Sequence, residues 1–202
     1  MKGYAKKRAN IIFYSVCVNS VWAALCKELL QGSGTKVCVV TGFSLGAGLS
    51  SAKAFEAAEA VERGASEIDM VISVGHLLDG DHSFVQADIA EVVKAVEGQA
   101  IVKVILETGL LNDEQKRIGC RLSEAAGAHF VKTSTGFNYG GATVEDIRLM
   151  RASVSDSVGV KASGGVRDLD TALRMIEAGA TRLGTSSGVA LVTTGSAGSS
   201  SY

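Results

Sequence analysis

The sequence alternates, almost without a break, between short β-branched runs and longer stretches of helical periodicity. Segments 14–18, 37–41, 67–73, 101–107, 130–133, 159–162 and 181–184 read as seven strands. Segments 20–30, 50–63, 81–96, 112–126, 143–152 and 168–178 read as the helices between them, opened by Asn19 or Ser20, Asn112 and Thr143 as caps. Strict alternation of this kind makes a parallel sheet, because each crossover returns the chain to the same end of the sheet with a right-handed turn. The strands are apolar on both faces, as a sheet covered by helices requires. Gly64-Ala65, Gly127-Ala128 and Gly179-Ala180 recur where a helix ends and a strand begins, the position of a glycine C-cap.

Alternation alone fits either an open doubly wound sheet or a closed (β/α) barrel. The polar residues favour the barrel. Asp69, Glu107, Lys132, Thr133, Lys161, Ser163, Thr185 and Ser186 all fall toward the C-terminal ends of strands. A barrel gathers those ends around one mouth, whereas an open sheet converges them only at a switch point. The expected fold is therefore α/β, a TIM (β/α)8-type barrel, with seven strands in place of eight.

The 202 residues suit one domain, expected over 1–192, with a low-complexity tail over 193–202. A net charge of −1 offers no electrostatic ground for nucleic acid or an anionic membrane, and no apolar run is long enough to span a bilayer. The basic residues Lys2, Lys6, Lys7 and Arg8 are not followed by the apolar stretch of a signal peptide. Cys17, Cys26, Cys38 and Cys120 form no C-x-x-C pair and no zinc spacing; Cys17 and Cys38 sit in apolar alternations, as buried cysteines do. A reducing cytoplasm without disulfides is expected. Proline is absent while glycine numbers 24, so turns depend on glycine, serine, asparagine and aspartate, at some expense in stability.

Two segments carry the chemistry. His129-Phe130-Val131-Lys132-Thr133-Ser134-Thr135-Gly136-Phe137 ends an apolar run on a lysine, and Val158-Gly159-Val160-Lys161-Ala162-Ser163-Gly164-Gly165 repeats the design. A single strand-end lysine is usually one that snorkels to solvent. Two at the same height on neighbouring strands repel each other, and repulsion with desolvation favours a neutral amine able to attack a carbonyl. Asp69, within an apolar strand, needs a partner. It is either a buried ion pair with Lys103 or a proton carrier and electrostatic anchor for Lys161. The glycine-rich loops after Ser163 and Gly184 suit a phosphate cup of backbone N–H groups, although tight turns are also glycine-rich. His76, His82 and His129 show no metal-ligand spacing. Cys17 reads as core packing or as a pocket-lining thiol.

In these motifs the sequence resembles the deoxyribose-phosphate aldolase family. The likeness rests on Ser15-Val16-Cys17-Val18-Asn19, Glu67-Ile68-Asp69-Met70-Val71-Ile72, Val102-Lys103-Val104-Ile105-Leu106-Glu107-Thr108, the two lysine segments and Gly184-Thr185-Ser186-Ser187-Gly188. It extends over residues 4–192. The resemblance implies a cytoplasmic class I aldolase, commonly a homodimer, using no metal or other cofactor. It would act on a small phosphorylated sugar, cleaving 2-deoxy-D-ribose 5-phosphate to D-glyceraldehyde 3-phosphate and acetaldehyde. It implies Lys132 as the Schiff-base lysine, Lys161 as the neighbour that lowers its pKa and Asp69 as the proton-relay carboxylate. Cleavage is drawn between C3 and C4 of the substrate imine. Gly164, Gly165, Gly184, Ser186 and Ser187 would bind the phosphate, with Cys17, Lys103, Thr135 and Gly136 completing the candidate substrate-binding set.

The sequence departs from the family pattern in two ways. A first strand carrying Asp-His-Thr has no counterpart, and the first residues match the helix that follows it. Serine also stands at Ser20 and Ser44, where the family usually has proline. The alternative reading is a barrel that binds a phosphosugar without turning it over. An open nucleotide-binding sheet is disfavoured, since no G-x-G-x-x-G follows the first strand.

Overall fold

The structure is a computed structural model that describes residues 11–137 and 140–194. Its single sheet has seven parallel strands in sequential order: β1 (Ser15–Asn19), β2 (Lys36–Thr41), β3 (Glu67–Val71), β4 (Ile101–Ile105), β5 (Phe130–Lys132), β6 (Gly159–Ser163) and β7 (Arg182–Gly184). Helices α1 (Ala23–Leu29), α2 (Ser50–Glu62), α3 (Val74–Leu78), α4 (His82–Ala95), α5 (Asp113–Ala125), α6 (Val144–Arg151), α7 (Leu169–Glu177) and α8 (Gly188–Thr194) connect and follow the strands. The order β1 to β7 without a jump is that of a curling TIM-type sheet, as the alternation requires. No helix among the described residues is long and apolar enough to cross a membrane.

Strand periodicity divides the core into two layers. Val37, Val39, Ile68, Met70, Val102, Val104, Val131, Val160 and Ala162 face the helices and join one apolar cluster with Ile89, Val92, Ile147 and Met150. The alternate positions face the concave side. They include Cys17, Cys38, Asp69, Lys103, Lys132 and Lys161, so the same period that builds the outer core collects the polar residues inside. Each fully buried Val or Ile contributes about 1.5–3 kcal/mol through apolar burial, which makes a one-residue slip prohibitive.

β1 and β7 do not pair with each other. The sheet nevertheless curls far enough to bring its edges together, because the Arg182 guanidinium stacks 3.7 Å from the ring centre of Tyr14, the residue before β1. Residues 1–10, matched above to a helix, lie outside the described residues.

Local chemistry explains the connections. Asn112 accepts from Gln115 N–H and Gln115 answers by accepting from Asn112 N–H, a capping box. Asp81, Thr143 and Asp168 cap α4, α6 and α7 through their side chains. Gly64, Gly127 and Gly179 all have positive φ, and each is followed by an alanine whose N–H reaches back to the last helical turn.

Four local expectations change. The segment 20–30 opens as a 3-10 turn over Ser20–Trp22, Asn19 offers no side-chain cap, and Ser20 bonds Glu56 instead. The short α3 occupies what reads in sequence as loop. Strands β3 and β4 stop at Val71 and Ile105, short of the expected Ser73 and Glu107, although Ile72 N–H and Leu106 N–H still donate across to Ile105 O and Lys132 O. Thr193 and Thr194, expected in the tail, end α8; the rest of the tail lies outside the described residues.

Candidate active site

Asp69 is the centre of the concave face. Val40, Asp69 and Lys103 stand at the same level in β2, β3 and β4. One carboxylate oxygen, Oδ1, accepts from Lys103 Nζ at 2.8 Å and from the Cys38 thiol at 3.2 Å. The other, Oδ2, accepts from Lys132 Nζ at 2.8 Å and from Lys161 Nζ at 2.6 Å. The two readings of Asp69 in sequence are therefore not exclusive: it pairs with Lys103 and anchors Lys161 at once. Lys132 and Lys161 are direct register partners in β5 and β6, which puts both amines at one oxygen.

The cluster is almost dry: Asp69 and Lys103 are fully buried, and Lys132 and Lys161 are 4% and 5% exposed. Burial pushes the Asp69 carboxyl up, but Lys132, Lys161 and Lys103 outweigh it and hold the pKa well below the usual carboxylate range. Burial pulls Lys161 down, and the Asp69 charge outweighs that, so its pKa is raised. Repulsion between the lysines is not the only force on them, as the sequence suggests; a counter-charge stands between them. Below this level, Glu67 pairs with Lys103 at 2.9 Å and with Arg182 at 3.2 Å. Four cationic side chains thus face two carboxylates.

Lys103 is not positioned to touch a substrate, since its ammonium is consumed by Glu67 and Asp69 inside the sheet. Cys17, an exposed residue on the edge strand β1, does face the concave side, with Sγ 3.9 Å from Asp69 Oδ2. Cys17, Cys38 and Asp69 form a three-ligand group whose donor atoms lie within 4.8 Å of one another. A metal ion fits poorly there, because both Asp69 oxygens already hold ammonium groups at 2.6–2.8 Å.

Above the lysines a belt of hydrogen bonds ties the loops of four successive strands. Glu107, just past β4, accepts from Thr135 N–H and from Thr135 Oγ1 at 2.5 Å. Its backbone has φ 58 and ψ 61, a left-handed conformation that a non-glycine residue holds only when its surroundings impose it. Thr133 Oγ1 donates to Ser163 O and accepts from Ser163 N–H, while Ser163 Oγ donates to Ser134 O. Ala142 N–H donates to Gly164 O, and Thr185 Oγ1 donates to Val166 O. Gly136, Gly164, Gly165 and Gly184 are thereby gathered on one rim. A Cβ at Gly184 would meet Lys161 Cε at 3.2 Å, so this glycine leaves the lysine its room. Ser187 N–H bonds Thr185 Oγ1, next to Ser186 in the same turn.

Cys38, Glu67, Arg182 and Gly141 escape the sequence reading. The strand residues among them signal only through register: Cys38 stands opposite Cys17 and Glu67, and Arg182 opposite Lys161. A cleft of about 420 Å³ lined by Thr108, Leu111, Lys116, Gly141 and Asp146 lies beside the belt and does not include the lysines.

The sequence matches the DeoC/LacD family aldolase model over residues 1–193. It is 59% identical over 180 residues to deoxyribose-phosphate aldolase 1 of Bacillus licheniformis, covering 89% of this chain and 81% of that protein. It is 56% identical to the deoxyribose-phosphate aldolase of Clostridium kluyveri, covering 89% and 83%. Among solved structures, the tetrameric deoxyribose phosphate aldolase of Aeropyrum pernix superposes with a TM-score of 0.85 at 31% identity, covering 96% of this chain and 83% of that one.

Proposed function

The chain belongs to the DeoC/LacD family of aldolases, and on that premise we propose that it cleaves 2-deoxy-D-ribose 5-phosphate reversibly to D-glyceraldehyde 3-phosphate and acetaldehyde. The observation that carries the reading is the pair of buried lysines sharing Asp69 Oδ2.

Lys132 is the nucleophile. Lys132, at the rim end of β5, attacks as the free amine, with the Lys161 ammonium beside it in register as the charged neighbour that favours loss of its proton to water. Its free amine adds to the C1 aldehyde, and loss of water leaves an iminium that draws electrons from the neighbouring bond. The cleaved bond is C2–C3 and not C3–C4, because acetaldehyde carries away only C1 and C2. The C3 hydroxyl loses its proton as glyceraldehyde 3-phosphate departs, leaving an enamine on Lys132. Protonation at C2 and addition of water then release acetaldehyde and restore the amine.

Asp69 is first an anchor. Its depressed pKa keeps it a carboxylate, which holds Lys132 and Lys161 beside each other so that protons pass between the two amines and water along its Oδ2. Lys161 is the charged neighbour that completes this relay, and Lys103 fixes Asp69 from below. Gly164, Gly165, Gly184, Ser186 and Ser187 receive the phosphate, with Thr135, Gly136 and Cys17 along the approach. The alternative, a barrel that binds without turnover, draws no support from relatives of this identity.

The assembly is a homodimer in a reducing cytoplasm, a reading supported by four free thiols and by the half-exposed Leu169, Leu173 and Ile176 along one face of α7. Light scattering at working concentration tests the assembly. Borohydride with acetaldehyde tests the chemistry: a two-carbon adduct is expected at Lys132. Folded protein that takes up no label there refutes the Schiff-base assignment.

A further inference from the structure

Cys17 and Cys38 are direct partners in the β1–β2 register, and both side chains face Asp69. Neighbouring strands run ~4.8 Å apart, inside the Cα separation of about 4.4–6.8 Å that a disulfide spans. The two residues differ in access: Cys17 is exposed, while Cys38 is fully buried behind it. We propose that these residues are a dithiol redox site, in which a hydroperoxide oxidises Cys17 and Cys38 then closes a cross-strand disulfide that switches the lysine site off.

The surroundings assign the order of events. The hydrogen bond with Cys38, opposed by burial and by Asp69 and helped by Lys132 and Lys161, brings the Cys17 thiol down to about 7. The Cys38 thiol is pushed well up by the same bond, by burial and by Asp69. The exposed sulfur is thus the thiolate that peroxide meets first. Cys17 thiolate takes the distal oxygen of the peroxide; the O–O bond breaks, sulfur is oxidised by two electrons to the sulfenic acid, and the other oxygen leaves as alcohol or water after taking a proton. Cys38 sulfur then attacks Cys17 sulfur. Its proton passes to the departing hydroxide, which leaves as water.

The disulfide has no S–H to offer Asp69 and draws both sulfurs between β1 and β2. That disturbs the acceptor shared by Lys132 and Lys161; this step rests on the aldolase reading, whereas the disulfide itself does not.

The test uses the folded, full-length protein. It is treated with hydrogen peroxide, alkylated with iodoacetamide and digested without reductant. A peptide linking Cys17 to Cys38 is expected within one chain, with Cys26 and Cys120 still alkylated. Retro-aldol turnover should fall at least tenfold and return with dithiothreitol. In Cys38→Ser, peroxide should leave a dimedone-reactive sulfenic acid at Cys17 and no linked peptide. Alkylation of both Cys17 and Cys38 after peroxide, or Cys17 linked to a different cysteine, overturns the site. A correct disulfide with unchanged turnover overturns the switch, and protein without turnover before treatment counts against the aldolase reading alone.

Discussion

Lys132 and Lys161 face each other across β5 and β6 and donate to the same oxygen of Asp69, at 2.8 and 2.6 Å. They are chemically alike, and their assigned roles differ, so substitution separates them. Lys132→Leu should abolish both turnover and borohydride trapping. Lys161→Leu should leave Lys132 able to be trapped, while turnover drops by about 10²–10⁴-fold, the usual contribution of a positioned proton-transfer group. Peptide mapping of the trapped adduct, with rates measured on the same preparations, checks the split. Equal loss of trapping in both variants contradicts it.

Asp69→Asn leaves the buried Lys132 and Lys161 without their carboxylate and Lys103 with Glu67 alone. Breaking a buried ion pair from one side costs about 3–5 kcal/mol, and urea unfolding should read a loss of that order together with loss of turnover. The pH dependence has a definite sign. The folded Asp69 pKa is depressed, so its stabilisation is complete above the unfolded carboxylate value and is lost as pH falls through the folded value. Wild-type stability should therefore fall in acid more steeply than that of Asp69→Asn. Parallel pH profiles would show that Asp69 does not couple protonation to folding.

The fold was legible because one period serves two layers. Residues such as Ile68, Met70, Val102 and Val104 declare the strands, and the positions between them declare the inner face. Asp69, Lys132 and Lys161 stood out because charge in an apolar run is expensive. Cys38, Glu67 and Arg182 did not. Cysteine in an alternation looks like any small apolar residue, and the partners of Glu67 and Arg182 are 36 to 115 positions away, set by sheet register and curl. The short α3 was hidden because Val74, Gly75 and His76 have weak helix propensity.

Glu107 has no assigned contact with substrate, yet it sets the loop above Lys132 through Thr135. Glu107→Ala removes that tie and leaves an alanine in a left-handed conformation. A loop displaced by an ångström can cost about 10²-fold in rate. Turnover should fall by that order while Lys132 remains open to slow borohydride trapping. Glu107→Gln, which keeps an acceptor for Thr135, should recover part of the rate; no difference between the two variants would remove Glu107 from the belt.

Gly141 tests whether the rim binds phosphate. A Cβ there would run into the carbonyl oxygen of Gly164, so the two loops approach backbone to backbone only because Gly141 has no side chain. Gly141→Ala must part them and shift Gly164 and Gly165, whose backbone N–H groups are assigned to the phosphate. The lysine cluster, held by strand register below the rim, has no reason to move with them. The expected result is a KM for 2-deoxy-D-ribose 5-phosphate raised about tenfold, as for the loss of ~1.4 kcal/mol of binding, with little change in kcat/KM for unphosphorylated 2-deoxyribose. Equal losses on both substrates would place the damage at the lysines and the phosphate elsewhere.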